Sequence, residues 1–337
     1  MLASVDLTVA VGERLGLIGA SGSGKTSLLR VMAGLDRATA GRVEVAGTEL
    51  TGRRREVTMV FSQDAVYDHL DVTGNLDFPF RVTQDIPGRD ERIAETADRF
   101  SLHRIGDRRP STLSAGQRQV VAAARALVRP EVETVLLDEP LVGTDPHRRH
   151  LLVEAVMAEP QLTVVLSTND PADVVRWCDR VAVLAEGTVA QAGSPAAVHR
   201  EPGSLEIAEL MGELNRLPAA IRRGPEWAVD VGRSRLRLDA VPAGLTDGQR
   251  VVVGVRPTDL SIASPGIPFD RCLSATIGRV EPLGGRSRLL FGLSDQPGVA
   301  FVGEVAGEHR PPVGSRIDWF IPPERIHLYD PSSGRRL

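Results

Sequence analysis

Hydrophobic positions in the first part of the chain follow two rhythms. RLGLI, residues 14–18, is a short apolar run that reads as a buried strand. SLLRVMAGL, beginning at Ser27, spaces its apolar residues for one face of a helix. TVLLDE, residues 134–139, is again a buried strand, and it ends on two carboxylates. After about residue 213 the helical spacing fades. RVVVGVRP, RLLFGL and GVAFVGEV are short β-type runs separated by glycine and proline, as in small barrels. The pattern predicts an α/β domain followed by a β-rich one.

A length of 337 residues suits two domains, or three. With 42% apolar and 25% charged residues, the chain can bury a sizeable core. The net charge of -4 carries no basic excess, so no nucleic-acid partner is expected. Cys178 and Cys272 lie far apart without metal-ligand spacing. They read as two buried free thiols in a reducing compartment, with a disulfide as the minor alternative. No apolar run approaches the ~20 residues needed to cross a bilayer. The start, MLASVDLTVAVGERLG, lacks a signal-peptide layout. A protein that stays in the cytosol, where it can dock on a membrane protein, is expected.

One detail of composition points to chemistry. Of 40 basic residues 39 are arginine, and Lys25 is the single lysine. A compact ammonium on a slim stem threads between backbone and oxyanions where a planar guanidinium does not. Lys25 lies in Gly19-Ala20-Ser21-Gly22-Ser23-Gly24-Lys25-Thr26, a complete G-x-x-x-x-G-K-[ST] phosphate loop between the expected strand and helix, with Ser27 following. Gly19, Gly22 and Gly24 let backbone N–H groups converge on phosphate oxygens at a helix start. Lys25 is expected to reach the β and γ phosphates of ATP, and the Thr26 hydroxyl to ligate Mg²⁺. A glycine-rich turn is the plainer alternative, and the full pattern in its strand–helix context weighs against it. Asp138 is expected to hold Mg²⁺ through water and Glu139 to polarise the attacking water. Alone, such an acidic pair is more often a solvated strand end; beside a phosphate loop the functional reading wins.

LSAGQRQVVAAARALVR, residues 113–129, resembles the signature motif of ABC-type ATPases, L-S-G-G-Q. In that family the motif opens a helix and caps the γ-phosphate of ATP held by the partner subunit, as a helix N-terminus suits an anion. Ser114, Gly116 and Gln117 match, and Ala115 stands for a glycine. EPLVGTDP, residues 139–146, resembles the D-loop and keeps Asp145. MVFSQDAVYDHLDVTGNLDF, residues 59–78, looks like the Q-loop region of sugar-importer ATPases, and DRVAVLAEGTVAQAGSP, residues 179–195, like the closing strands of that domain. VGVRPTDLSI (253–262), VEPLGG (280–285) and ERIHLYDPSSGRRL (324–337) are similar to the C-terminal domain of the maltose-importer type.

The resemblance covers essentially the whole chain. It implies an α/β P-loop NTPase domain over residues 1–212, a mixed sheet with a helical subdomain at about 80–130, and a small all-β, OB-like (TOBE-type) regulatory domain over 213–337. It further implies the ATP-binding and ATP-hydrolysing subunit of an ABC importer for a sugar or glycerol-phosphate-like solute. Such a subunit sits on the cytoplasmic face of the membrane with two transmembrane permease subunits and a second ABC ATPase subunit, and serves an extracytoplasmic solute-binding protein indirectly. The permease groove is expected around residues 62–80. A non-transport ABC-type ATPase acting on DNA or ribosomes would call for coiled-coil insertions, tandem nucleotide domains or a basic surface, which the sequence lacks. A catalytically weak nucleotide-binding subunit paired with an active paralogue stays open.

Three features depart from the resemblance. The Q-loop glutamine, which touches Mg²⁺ and the attacking water in the family, falls on Ser62, with Gln63 one place late. A one-residue slip in extended chain reverses side-chain direction, so Gln63 serves catalysis or Mg²⁺ only through a local shift of register. In VVLSTND, residues 164–170, the switch histidine is Asn169, which donates a hydrogen bond but carries no charge. No aromatic residue precedes Gly19, so an adenine-stacking contribution of ~1–3 kcal/mol has no candidate there. Losses at this chain's own site beside a nearly intact LSAGQ favour a heterodimer over a homodimer. His69, His103, His147, His150, His199, His309 and His327 show no metal spacing and read as surface or capping groups. The arginines at 53–55 read as a solvated loop, and Trp177, Trp227 and Trp319 as core.

Overall fold

Strand β1 (Arg14–Ile18) lies inside a six-stranded sheet and leads directly into helix α1 (Lys25–Met32). The computed structural model describes residues 2–61, 66–81, 87–140, 146–293, 299–307 and 311–337. Among these, the chain separates into two units, residues 1–200 and 201–337.

In the first unit a short hairpin, β2 (Glu44–Val45) with β3 (Thr48–Glu49), precedes β4 (Val57–Val60). Helices α2 (Val72–Arg81), α3 (Arg89–Arg99) and α4 (Ala115–Leu127) follow before β5 (Thr134–Asp138). Then come α5 (Pro146–Met157), β6 (Thr163–Thr168), α6 (Pro171–Trp177), β7 (Arg180–Ala185), β8 (Thr188–Gly193) and α7 (Pro195–Arg200). The sheet order is β4-β5-β6-β1-β7-β8. Pairs from β4 to β7 are parallel, and β8 closes the edge antiparallel, so the sheet is mixed.

Alternation along β5 and β6 divides the core. Val135, Leu137, Val164 and Leu166 pack with Val120, Val121 and Ala124 of α4 and Leu152 and Val156 of α5. Leu136 and Val165 point the other way, toward Leu15, Leu17, Leu28 and Leu29. Both faces being covered, these strands read as unbroken apolar runs. Each fully buried leucine contributes about 1.5–3 kcal/mol. Gly16 marks close packing, since a Cβ there would stand 1.9 Å from Cγ1 of Val174 on α6.

Asn75, fully buried on α2, fixes the preceding turn. Its Oδ1 accepts from the Tyr67 amide at 2.8 Å, and its Nδ2 donates to the carbonyls of Tyr67, Asp71 and Leu70 at 3.1, 2.9 and 3.4 Å. A short polar side chain thereby satisfies backbone groups that the loop leaves unpaired.

The second unit starts earlier than the sequence suggests. Helix α8 (Leu205–Leu210), capped by the Ser204 hydroxyl accepting from the Ile207 amide at 3.2 Å, belongs to it, because Leu205 and Ala208 pack on Tyr329. The division thus falls at 200/201 rather than at 212/213. Helical spacing alone assigned this helix to the first domain; its apolar partners lie more than a hundred residues away.

Two five-stranded antiparallel sheets build the rest. One runs β11 (Ser234–Arg237), β10 (Trp227–Val231), β9 (Asn215–Arg223), β12 (Arg250–Val255), β18 (His327–Tyr329). The other runs β13 (Ser261–Ile262), β17 (Arg316–Phe320), β14 (Cys272–Pro282), β15 (Arg286–Gly292), β16 (Ala300–Ala306). A shared core joins Leu217, Ile221, Val229 and Val253 of the first sheet to Leu273, Leu289, Phe291, Phe301 and Trp319 of the second. Trp319 meets Phe291 edge-on at 4.6 Å.

Trp319 is fully buried, and Trp177 and Trp227 pack half-buried against the two cores. His327 is a correction to the surface reading: it lies buried on β18, on the strand face it shares with Tyr329, which packs on Leu205 and Ala208 of α8, while Leu328 between them enters the two-sheet core. Both cysteines are free thiols. Cys272 is buried, whereas Cys178 keeps part of its surface exposed. Burial, with Asp179 and Asp173 close by, still pushes the Cys178 thiol up to about 12.

Candidate nucleotide-phosphate site

The loop from Gly19 to Gly24 reverses the chain between β1 and α1. The Ser23 amide donates to the Ala20 carbonyl at 3.1 Å, and the Leu28 amide to the Gly24 carbonyl at 2.8 Å, which starts the helix. Gly24 is the helix N-cap at φ 108, a conformation open to glycine, and a Cβ there would come within 2.9 Å of Leu2. Ser21, Gly22, Gly24, Lys25, Thr26, Ser27, Asp138 and Glu139 line a cavity of about 310 Å³. Gly19, Ala20 and Ser23 form the base of the loop: the Ser23 hydroxyl is buried and makes no hydrogen bond.

Lys25 is 5% exposed and its ammonium is fully engaged. It donates to the carbonyls of Gly19 at 2.8 Å and Ala20 at 3.3 Å and to Oδ1 of Asn169 at 2.9 Å, and stands 3.8 Å from Oε1 of Glu139. Burial holds its pKa below the ordinary lysine value, and the charges of Glu139 and Asp138 oppose that shift.

The two acids approach the loop from the end of β5. Thr26 donates its hydroxyl to Oδ1 of Asp138 at 3.0 Å, and Ser167 donates to the same oxygen at 2.9 Å. Glu139 has a positive φ of 45, and its amide donates to the Ser167 hydroxyl at 3.0 Å and the Ser167 carbonyl at 3.2 Å. Asn169 donates from Nδ2 to Oε1 of Glu139 at 2.8 Å. The structure therefore brings Lys25, Thr26, Asp138, Glu139 and Asn169 into one network. Thr26 and Asp138 offer two hard oxygens at hydrogen-bond distance from each other, a donor set that fits a magnesium ion held partly by water and phosphate.

Ser114 caps α4 as the sequence suggests. Its hydroxyl accepts from the Gln117 amide at 3.3 Å, and the Gln117 side chain accepts from the Ser114 amide at 3.0 Å, a reciprocal capping box. Ser114 and Ala115 are exposed, and Gly116 is buried. Ser62, Gln63 and Asp145 lie outside the described residues.

Sequence reasoning missed several members of this region. Gln119, buried on α4, donates to the carbonyl of Phe61 at 2.9 Å, and Arg125 of the same helix lies 4.4 Å over the Tyr67 ring. The helix that begins at the signature serine thus grips the chain at Phe61 and at Tyr67. Ser167 was also missed. Its signal was a polar residue closing an apolar strand, two places before Asn169 and so on the same side of extended chain.

Comparison with known proteins adds to this geometry. Residues 2–142 match the family model for the ABC transporter domain. The chain is 33% identical to an sn-glycerol-3-phosphate import ATP-binding protein of Chromohalobacter salexigens, over 99% of this chain and 91% of that protein. It is 31% identical to a trehalose/maltose import ATP-binding protein of Thermococcus litoralis, over 99% of this chain and 94% of that one. Among solved structures, a dimeric ATP-binding cassette in a post-hydrolysis state with ADP and Pi superposes with a TM-score of 0.53 and 27% identity. That match covers 58% of this chain and 90% of the other.

Proposed function

Since the chain belongs to the ABC transporter family, we propose that it binds and hydrolyses ATP to drive import of a sugar or glycerol-phosphate-like solute through partner permeases. One observation carries the reading: Lys25, Thr26, Asp138 and Glu139 line a single cavity at the start of α1. Near-full-length likeness to proteins named for sugar and glycerol-phosphate import supports the transport role.

In this reading the loop amides and Lys25 bind the phosphates, and Thr26 and Asp138 hold Mg²⁺, which supplies charge neutralisation at the transferring phosphoryl group. Glu139 orients and polarises the attacking water, with Asn169 directing its carboxylate. Ser114 to Gln117 complete the site of the neighbouring ATPase subunit. The two-sheet second unit serves as the OB-like regulatory domain. Two permease subunits hold the protein on the cytoplasmic face of the membrane, with an extracytoplasmic binding protein delivering solute.

A second reading rests on Asn169. An asparagine at the switch cannot gain charge as γ-phosphate binds. Slower turnover at this chain's own site, beside a better-equipped ATPase subunit in a heterodimer, follows from it. The test is purification of the tagged chain from its own membranes with subunit identification. Co-purifying permeases support the importer reading, and a second kind of ATPase subunit supports the heterodimer. A chain that brings down no membrane protein overturns both.

A further inference from the structure

We propose that Ser167 is a positioning residue for the acidic pair Asp138–Glu139, an inference that rests on the ATPase reading above. Ser167 has no exposed surface and follows the buried run Val164–Leu166. A serine there makes no packing gain over valine, and its hydroxyl needs partners to offset lost hydration. Among the described residues it finds them in the two acids.

The register explains why. Parallel pairing of β5 with β6 sets Asp138 opposite Ser167. The Ser167 oxygen accepts the Glu139 amide at 3.0 Å, so its single proton is directed to Oδ1 of Asp138 at 2.9 Å. One hydroxyl therefore orients the carboxylate of one acid and the backbone of the next.

Both effects bear on the reaction. Glu139 sits at φ 45, a left-handed conformation that a non-glycine residue keeps only where its surroundings hold it there. The paired bonds from its amide to Ser167 supply that hold. Asn169 then directs the Glu139 side chain at 2.8 Å, so residues 167 and 169 grip the same acid at backbone and carboxylate. At Asp138, Thr26 is the other hydroxyl donor and is itself assigned to the metal. Ser167, which is not assigned to the metal, fixes the Asp138 carboxylate rotamer while it holds the Glu139 amide. Outer-shell partners of this kind tune metal affinity by about 10–100-fold.

The test compares wild type with Ser167→Ala, Ser167→Val and Ser167→Thr in the full chain. A fluorescent ATP analogue reports binding in EDTA and across a Mg²⁺ titration, alongside kcat and Tm. In Ala and Val, metal-free nucleotide binding stays within about twofold of wild type, as the phosphate cradle is untouched. The Mg²⁺ concentration for half-maximal effect rises about tenfold or more, and kcat falls by a similar factor. Threonine, which keeps the hydroxyl, restores both. Unchanged Mg²⁺ dependence in Ala and Val overturns the proposal, as does a threonine variant that fails in step with them while all three lose Tm. Wild type that binds no Mg²⁺-nucleotide is a distinct outcome, which overturns the ATPase reading itself and this inference with it.

Discussion

Asn169 bridges Lys25 and Glu139: its side-chain oxygen accepts from the ammonium at 2.9 Å while its amide nitrogen donates to the carboxylate at 2.8 Å. An amide does both at once without changing charge, so the basic and acidic ends of the site are coupled through a group that does not titrate. Removing the bridge in Asn169→Ala should reduce turnover about tenfold, the scale of hydrogen bonds to charged partners. Histidine at this position brings a group with an ordinary pKa of about 6.5 between the same two charges. The ratio of Asn169→His turnover to wild-type turnover should therefore change across pH 6–7. A constant ratio from pH 5.5 to 8.5 would show that residue 169 does not sense the reacting centre.

Lys25 threads between two carbonyls and an amide while nearly buried. Lys25→Ala is expected to weaken ATP binding by about 10–100-fold through loss of a charge-assisted contact. Lys25→Arg should recover little of it, since a planar fork does not fit a channel shaped for a point charge. Equilibrium binding of labelled ATP measures both, and wild-type affinity in the arginine variant refutes the steric account.

The same burial makes Lys25 a source of pH dependence. Its pKa is lower in the native protein than in the unfolded chain. Between the native value and about 10.4 the unfolded chain holds more protons, so this residue's unfavourable contribution fades as pH rises. Lys25→Met should therefore raise Tm at pH 7 without nucleotide, with the gain shrinking toward pH 10. A Tm difference that is absent at pH 7, or equal at both pH values, contradicts this account.

Glu139→Gln in this subunit alone separates the two dimer arrangements. If a better-equipped partner site dominates, most of the ATPase activity of the purified transporter survives the substitution. Collapse of turnover in a transporter with one kind of ATPase subunit rejects the heterodimer and leaves Asn169 sufficient for the switch.

Legibility in the sequence tracked how locally each feature is encoded. The phosphate loop, the strand over Arg14–Ile18 and the serine cap of α4 depend on residues a few places apart, and their residue types name them directly. The placement of α8 was not legible, because Leu205 finds its partner at Tyr329. His327 was misread for the same reason: it shares a strand face with Tyr329, whose partners on α8 lie more than a hundred residues away.

Sequence by itself determined the glycine loop between strand and helix, the acidic pair at a strand end and the serine-capped helix α4, since glycine torsions, hydrophobic period and capping chemistry act within one or two turns of chain. Tertiary structure alone decided how those parts address one another. Ser167 reaches Glu139 across 28 residues and Asn169 reaches Lys25 across 144, distances closed by the parallel register of β5, β6 and β1. Strand register is a property of the assembled sheet, set by burial on both faces at once, so no short window of sequence contains it.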